Sequence, residues 1–120
     1  MAQRNWKDSD AKVQDGTALT WALFMPYGTA GASYNQAPAR DFRSMEVRRL
    51  QPTLRTDVAQ HPYEQVYYFT AGRANVLLGE ELVPVRDGDA LHIPAQVPYR
   101  LVNDSDDWVE YLITCTDLRP

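Results

Sequence analysis

The sequence predicts an all-β fold, either a sandwich of two sheets or a closed barrel. Short strand-like runs recur roughly every ten residues, turn-forming residues separate them, and no stretch shows the apolar periodicity of an amphipathic helix. A chain of 120 residues has room for one domain with one core. We therefore expect an N-terminal arm over residues 1–16 and a single β-barrel domain over residues 17–120.

The strand-like runs are rich in apolar, aromatic and β-branched residues and end at Pro, Gly, Asn or Asp. The first, Thr17–Met25, ends at Pro26, and a loop rich in Gly, Ala, Ser and Pro follows over Tyr27–Arg40. The runs after this loop are Phe42–Leu50, Leu54–His61, Gln65–Ala71, Ala74–Leu78, Glu81–Val85, Ala90–Ile93, Tyr99–Val102 and Trp108–Thr116.

Composition excludes several classes of function. Sixteen acidic against twelve basic residues give a net charge of −4, which argues against a nucleic-acid or anionic-membrane partner. No apolar stretch is long enough to span a membrane, and residues 1–12 lack the apolar core of a signal peptide, so we expect a cytoplasmic protein. A single cysteine, Cys115, forms no internal disulfide, and the two histidines, His61 and His92, cannot build a three-histidine metal site.

The segment Gly88–Asn103 resembles the second motif of the cupin family, which is Gly, five residues, Pro, one residue, Gly, two residues, His, three residues, Asn. Gly88, Pro94 and Asn103 match, whereas Gln96 and Tyr99 replace the second Gly and the His. The resemblance implies a double-stranded β-helix (jelly-roll) barrel in a single domain.

The family's first motif falls on residues 53–72, where only His61 and Gly72 are retained. Metal-binding cupins take their ligands from two His and a Glu of this motif and from the later His. The residues at those four positions here are Ala59, His61, Gln65 and Tyr99. An imidazole, an amide oxygen and a phenolate form a poorer site than three His and a carboxylate. We favour a site without metal, and the alternative is Fe, Mn or Zn bound by His61, Gln65 and Tyr99.

Without a metal, the same side chains still provide acid–base chemistry. The resemblance implies roles like those of metal-free cupins that epimerise sugars with a His and a Tyr. His61 would act as the base, Tyr99 as the acid or oxyanion donor, Gln65 as the orienting group, and Tyr67 would add a second phenol.

These roles predict an enzyme that isomerises, cyclises or eliminates a small carbonyl- or hydroxyl-bearing metabolite without a redox step. One alternative is a metal-dependent oxygenase or lyase. Another is a cupin that binds a small molecule without catalysis, because one scaffold of this kind carries many functions.

Four further residues are candidates for substrate binding. Phe69 is expected to share a strand face with Gln65 and Tyr67. Leu101 is expected to share one with Tyr99. Asp57 is four residues before His61, so the two side chains would share a strand face, and Asp57 could lie at the barrel mouth. Arg49 could meet an anionic group, although a solvated surface or an ion pair is the alternative for this side chain.

Three remaining features have structural interpretations. His92 is expected to point out of the barrel if its neighbours point inward, and Glu64 would pair with His61 only if it turned inward. Cys115 is expected to be buried packing. The run Thr17–Met25 is apolar on both faces, which suits contact with a second subunit, so we expect a homodimer that acts on a small-molecule substrate.

Overall fold

The computed structural model describes Asn5, Lys7 and residues 10–14, 16–24 and 42–116. The predicted loop Tyr27–Arg40 lies outside these residues. Within them, the chain forms nine strands: β1 (Ala11–Gln14), β2 (Ala18–Phe24), β3 (Phe42–Leu50), β4 (Gln65–Ala71), β5 (Arg73–Leu78), β6 (Glu81–Arg86), β7 (Ala90–Ile93), β8 (Tyr99–Val102) and β9 (Val109–Thr116). None of the described segments is a helix long and apolar enough to cross a membrane.

The strands pair antiparallel in two sheets. The larger sheet has the order β1-β2-β3-β9-β4-β7, and the smaller has the order β6-β5-β8. Both sheets contribute side chains to one hydrophobic core, for example Phe69 and Ile113 from the larger and Val76 and Leu101 from the smaller. The described residues therefore form the all-β jelly-roll barrel that the sequence predicts.

The segment Leu54–His61 is not the regular strand that its pattern predicts. It runs beside β8 and makes only two isolated bridges, Arg55 with Val102 and Ala59 with Tyr99. Four residue steps on the segment match three on β8, so one extra residue bulges out of register. The hydroxyl of Thr56 accepts a hydrogen bond of 3.0 Å from the Leu101 amide at this point.

The N-terminal part of the described chain extends the larger sheet. β1 lies within the segment predicted as an arm and pairs with β2 over residues 11–14. β2 in turn pairs with β3, with Thr20 opposite Arg48 and Trp21 opposite Val47. Because β3 also pairs with β9, β3 is an internal strand of the larger sheet and not an edge strand.

Candidate active site

Two buried phenols meet inside the barrel. Tyr67 lies on the inner face of β4, and Tyr99 begins β8 in the opposite sheet. The Tyr67 hydroxyl donates a hydrogen bond of 3.1 Å to the Tyr99 hydroxyl, and the two rings meet edge to face at 5.8 Å. Burial raises the pKa of Tyr67 well above its usual 10.0, and the neighbouring Tyr99 adds to this effect while Arg48 opposes it. Tyr67 therefore keeps its proton at neutral pH.

His61 lies beside this pair because the segment before it is tied to β8. Ala59 and Tyr99 exchange two backbone hydrogen bonds of 2.9 Å, and His61 follows two residues later. The amide of Gln96 donates to the His61 carbonyl at 2.7 Å. The imidazole stacks on Tyr63 at 4.8 Å and lies 6.0 Å from the Tyr99 ring, measured between centroids. His61 is half-buried, so part of the residue remains exposed to solvent.

Gln65 presents a hydrogen-bond acceptor in the barrel interior. The residue is 2% exposed, and its amide nitrogen donates to the Cys115 sulfur at 3.3 Å. Its amide oxygen is buried and has no hydrogen-bond partner among the described residues. An unpartnered buried acceptor costs about 1–3 kcal/mol, so a ligand or water that donates to it would recover this energy.

Cys115 is a neutral thiol in this surrounding. Burial raises its pKa above the usual 9.0, although hydrogen bonds with Ser44 and Gln65 oppose the shift. The residue is buried on β9 opposite both of these side chains. It therefore packs and accepts a hydrogen bond, in agreement with the structural interpretation of this cysteine.

The inner face of β3 contributes a charged pair that sequence reasoning missed. Glu46 and Arg48 lie opposite Ile113 and Tyr111 of β9, both of which are fully buried. The Arg48 guanidinium donates to the Glu46 carboxylate at 2.7 Å. The sequence could have indicated this, because Glu46 and Arg48 are four and two residues before Leu50, and residues two apart on a strand share a face.

Two of the predicted substrate-binding residues lie away from this interior. Arg49 is on the outer face of β3, where its guanidinium lies 4.8 Å from the centre of the Trp108 ring and 3.7 Å from the Glu110 carboxylate. Asp57 is exposed, and its carboxylate lies against the backbone of Gly16. The structure thus brings neither side chain to the phenol pair.

The other two predicted substrate-binding residues are inside the barrel. Phe69 and Leu101 are both buried and belong to the hydrophobic core. Phe69 packs against the rings of Tyr67 and Tyr111 at 6.3 and 5.6 Å between centroids. Their inward direction agrees with the predicted strand faces, and a direct contact with substrate remains a prediction.

His92 and Glu64 pair on the outside of the barrel. The imidazole nitrogen lies 3.4 Å from the carboxylate, and both side chains are at least half exposed. Glu64 therefore does not turn inward toward His61, and the outward direction expected of His92 is the one observed. The candidate site keeps a single histidine.

The interior offers a weak set of donors to the transition-metal ion that the resemblance implies as an alternative. No group of three or more His, Cys, Asp or Glu side chains placed to hold a metal ion occurs in residues 42–116 or the other described segments. Of the substitute donors, the Gln65 amide oxygen has no partner among the described residues, whereas the Tyr99 hydroxyl already accepts from Tyr67. A lone imidazole with a neutral amide and a paired phenol is a weak donor set, so we assign no step to a metal.

Solved structures with the same fold come from several bacteria. The polyketide cyclase RemF from Streptomyces resistomycificus is 18% identical, with a TM-score of 0.78 over 100% of this chain and 82% of that one. A predicted oxalate decarboxylase from Thermotoga maritima is 15% identical, with a TM-score of 0.77 over 97% and 99%. A cupin 2 conserved barrel domain protein from Salinispora arenicola is 19% identical, with a TM-score of 0.74 over 98% and 89%.

Identities at this level show a shared fold and leave the activity to be argued from the site. No curated protein has a significantly similar sequence. The family model of the cupin domain matches residues 47–115, which include His61, Tyr99 and the whole of the smaller sheet. The chain belongs to the cupin domain family.

Proposed function

We propose that this cupin is an enzyme that isomerises, cyclises or eliminates a small carbonyl- or hydroxyl-bearing metabolite by acid–base chemistry, without a redox step. The observation that carries the proposal is the buried hydrogen bond between Tyr67 and Tyr99, with the imidazole of His61 beside it. A proton acceptor and a proton donor are thus neighbours at the edge of an apolar interior, as acid–base catalysis requires.

His61 is the proposed base. Imidazole titrates near neutral pH, so it can accept a proton from carbon or oxygen and return it within one catalytic cycle. The stacked ring of Tyr63 and the backbone hydrogen bond from Gln96 fix its position. Because His61 is half-buried, its proton can also exchange with solvent between turnovers.

Tyr99 is the proposed acid or oxyanion donor. When a carbonyl compound loses an α-proton, negative charge develops on its oxygen, and a preorganised donor stabilises that charge. Tyr67 donates to the Tyr99 oxygen and keeps its own proton, so it supports Tyr99 as the latter gives up a proton to substrate. Loss of such a donor typically lowers the rate by about 10²- to 10³-fold.

Gln65 is the proposed orienting group. Its unpartnered amide oxygen can accept a hydrogen bond from a substrate hydroxyl, and the bond to Cys115 holds the amide in that orientation. The polyketide cyclase among the solved structures shows that this fold carries a cyclase. The reaction class proposed for this chain rests on its own side chains.

Deuterium exchange tests the proposal without knowledge of the substrate. Purified protein treated with EDTA would be incubated in D₂O with small ketones and 1,3-dicarbonyl compounds, and NMR would follow deuterium entering the α-position. We expect exchange above the buffer rate for at least one compound. His61→Ala and Tyr99→Phe should lower the rate by about 10²-fold or more.

The matched control is His92→Ala, because His92 is the other imidazole and lies outside the barrel. This variant should retain the wild-type exchange rate. A wild-type rate no higher than that of His61→Ala would contradict the proposal. Exchange that appears only after addition of Fe, Mn or Zn would support a metal-dependent mechanism instead.

A further inference from the structure

Glu46 and Arg48 place two charges inside the barrel. Their side chains are only 16% and 8% exposed, respectively, and are joined by the 2.7 Å hydrogen bond. Arg48 lies between Thr20 of β2 and Tyr111 of β9 in the same row of the larger sheet. Both charges therefore lie on the inner face of the sheet that also carries Gln65 and Tyr67.

Stability alone is a poor explanation for this pair. Taking two ions out of water costs several kcal/mol for each, and an apolar pair of similar volume is often as stable or more stable. The neighbouring inward residues Leu50 and Ile113 show that this face packs apolar side chains without difficulty. A functional role for the pair is therefore a reasonable alternative to a structural one.

The charges act on the residues of the proposed site. Arg48 lowers the pKa of Tyr67, and Glu46 raises that of Cys115, although burial outweighs both effects. Arg48 also lies opposite Tyr111, whose ring stacks on Tyr67 at 5.4 Å, so the guanidinium is on the same inner face as Tyr67. Its positive charge is balanced in the resting protein by Glu46.

Two unpartnered polar atoms lie on the same inner face of the larger sheet. The Thr20 hydroxyl, opposite Arg48, and the Gln65 amide oxygen are buried and have no hydrogen-bond partner among the described residues. Native proteins rarely leave such atoms unpaired, and a bound polar molecule is a common reason. Thr20 shares the row of Arg48, whereas Gln65 lies in the row of Cys115 and Ser44. The Thr20 hydroxyl is therefore the atom that a polar ligand bound at Arg48 would pair with.

We infer that Arg48 binds an oxyanion of the substrate and that Glu46 holds the guanidinium in position. The inference rests on the proposed function and narrows its substrate to an acidic metabolite that carries a carboxylate or an enolate. A guanidinium has five N–H donors in a planar fork, so it can hold a resident carboxylate and a second oxyanion together. The negative charge of Glu46 opposes the binding of a second anion beside it, so neutralising Glu46 should strengthen anion binding.

Binding of three small probes tests this inference. Isothermal titration calorimetry would compare 4-hydroxybenzoate, its neutral analogue 4-hydroxybenzamide, and 1,3-cyclohexanedione, which is an enolate at neutral pH. The wild type should bind at least one of the two anions about tenfold or more tightly than the amide, in line with a charge-assisted hydrogen bond. The anion that binds more tightly shows whether the site prefers a carboxylate or an enolate.

Substitutions of the two charged residues have opposite expected effects. Arg48→Met should abolish the preference for the anion, whereas Glu46→Gln should increase it because the negative charge of the resident carboxylate is removed. The double variant Glu46→Gln/Arg48→Met leaves no buried unpaired charge, so it tests the loss of preference even if Arg48→Met fails to fold. Arg49→Met is the matched control on the outer face and should leave the preference unchanged.

Several results would overturn the inference: equal binding of anions and amide by the wild type, no binding of any probe, a preference that survives Arg48→Met, or weaker anion binding by Glu46→Gln. His61→Ala separates this inference from the proposed function. That variant should lose α-proton exchange and keep the charge preference. Loss of both properties in His61→Ala with an intact fold would assign the anion to His61 instead of Arg48.

Discussion

Tyr67 and Tyr99 join the two sheets of the barrel through a 3.1 Å hydrogen bond between their hydroxyl groups. Each ring is buried, and Tyr67 also stacks on Tyr111 at 5.4 Å. A phenol hydroxyl buried in a core needs a polar partner, and here the Tyr67 hydroxyl donates a hydrogen bond to the Tyr99 hydroxyl. The same bond thus contributes to stability and places the proposed acid.

The first prediction concerns the energy of this bond. Tyr67→Phe and Tyr99→Phe should each lower the free energy of unfolding by about 1–2 kcal/mol, since each removes this buried hydrogen bond. The double variant should cost less than the sum of the two, because it removes both hydroxyls together. Urea denaturation of the four proteins measures the coupling. Additive effects would show that the two hydroxyls do not stabilise each other in solution.

The second prediction compares two glycines with the same backbone conformation. Gly72 and Gly88 have φ of +83° and +92°, a region that L-residues rarely adopt. A Cβ on Gly72 would collide with the carbonyl of Trp108 and lie 3.0 Å from the Val109 Cα, whereas one on Gly88 meets nothing within 4 Å. Gly72 is therefore required by space as well as by conformation.

Gly88→Ala should cost about 1–2 kcal/mol, the usual penalty for a left-handed alanine. Gly72→Ala should cost clearly more, because the backbone of Trp108 and Val109 must also move. Thermal and urea unfolding of both variants measure the difference. Equal losses of stability would indicate that the contact with Trp108 relaxes without cost.

The sequence predicted the barrel and the inward face of β4, but it did not predict the inward face of β3. On β4, Gln65 and Tyr67 point inward as predicted, because strict alternation fixes which residues share a face. On β3, the same alternation gives two possible faces, and the one with Glu46 and Arg48 faces the core. A charged inward face cannot be recognised from hydrophobicity, since its partners lie on β2 and β9, far away in sequence.

The segment before His61 was mispredicted for a different reason. An extra residue between Arg55 and Ala59 breaks the pairing with β8, and the backbone there adapts to a distant strand. Alternation of residue types carries no information on such a bulge. The bridge between Ala59 and Tyr99 nevertheless preserves the approach of His61 to Tyr99 that the predicted site needed.

The third prediction concerns alkaline pH. Cys115 and Tyr67 have pKa values raised by burial, so the folded state keeps their protons after the unfolded state has lost them. Their contribution is fully present below the unfolded pKa of each group and is lost as the pH rises toward the folded value. The loss should begin near pH 9.0 for the thiol and near 10.0 for the phenol, at about 1.4 kcal/mol per pH unit for each group.

Cys115→Ala isolates the contribution of the thiol, because the chain has no other cysteine. Urea denaturation at a series of pH values should show a later onset of the alkaline decline in this variant than in the wild type. The absolute stability of the variant can be lower, since a buried side chain is shortened. An unchanged onset would mean that the thiol ionises equally easily in the folded and unfolded states.

The last prediction concerns Asn103, the fully buried asparagine that ends the second motif. The two N–H groups of its amide are shared among the carbonyl oxygens of Leu50, Gln51 and Asp107, which lie 3.1, 3.1 and 2.9 Å from the nitrogen. Its amide oxygen accepts from the amide and hydroxyl of Ser105 at 3.1 and 2.6 Å. One side chain therefore ties the end of β3 to the turn before β9.

Asn103→Ala should lower the free energy of unfolding by at least about 3 kcal/mol, because it leaves several buried backbone groups unpaired. Asn103→Asp should be at least as damaging, since a carboxylate oxygen would replace the donor and face three carbonyl oxygens. Asn75→Ala is the control, because Asn75 makes one exposed bond of 3.2 Å to Asp104, and its loss should stay within about 0.5 kcal/mol. A tolerated Asn103→Asp, measured by urea denaturation, would contradict the assignment of its nitrogen to the three carbonyls.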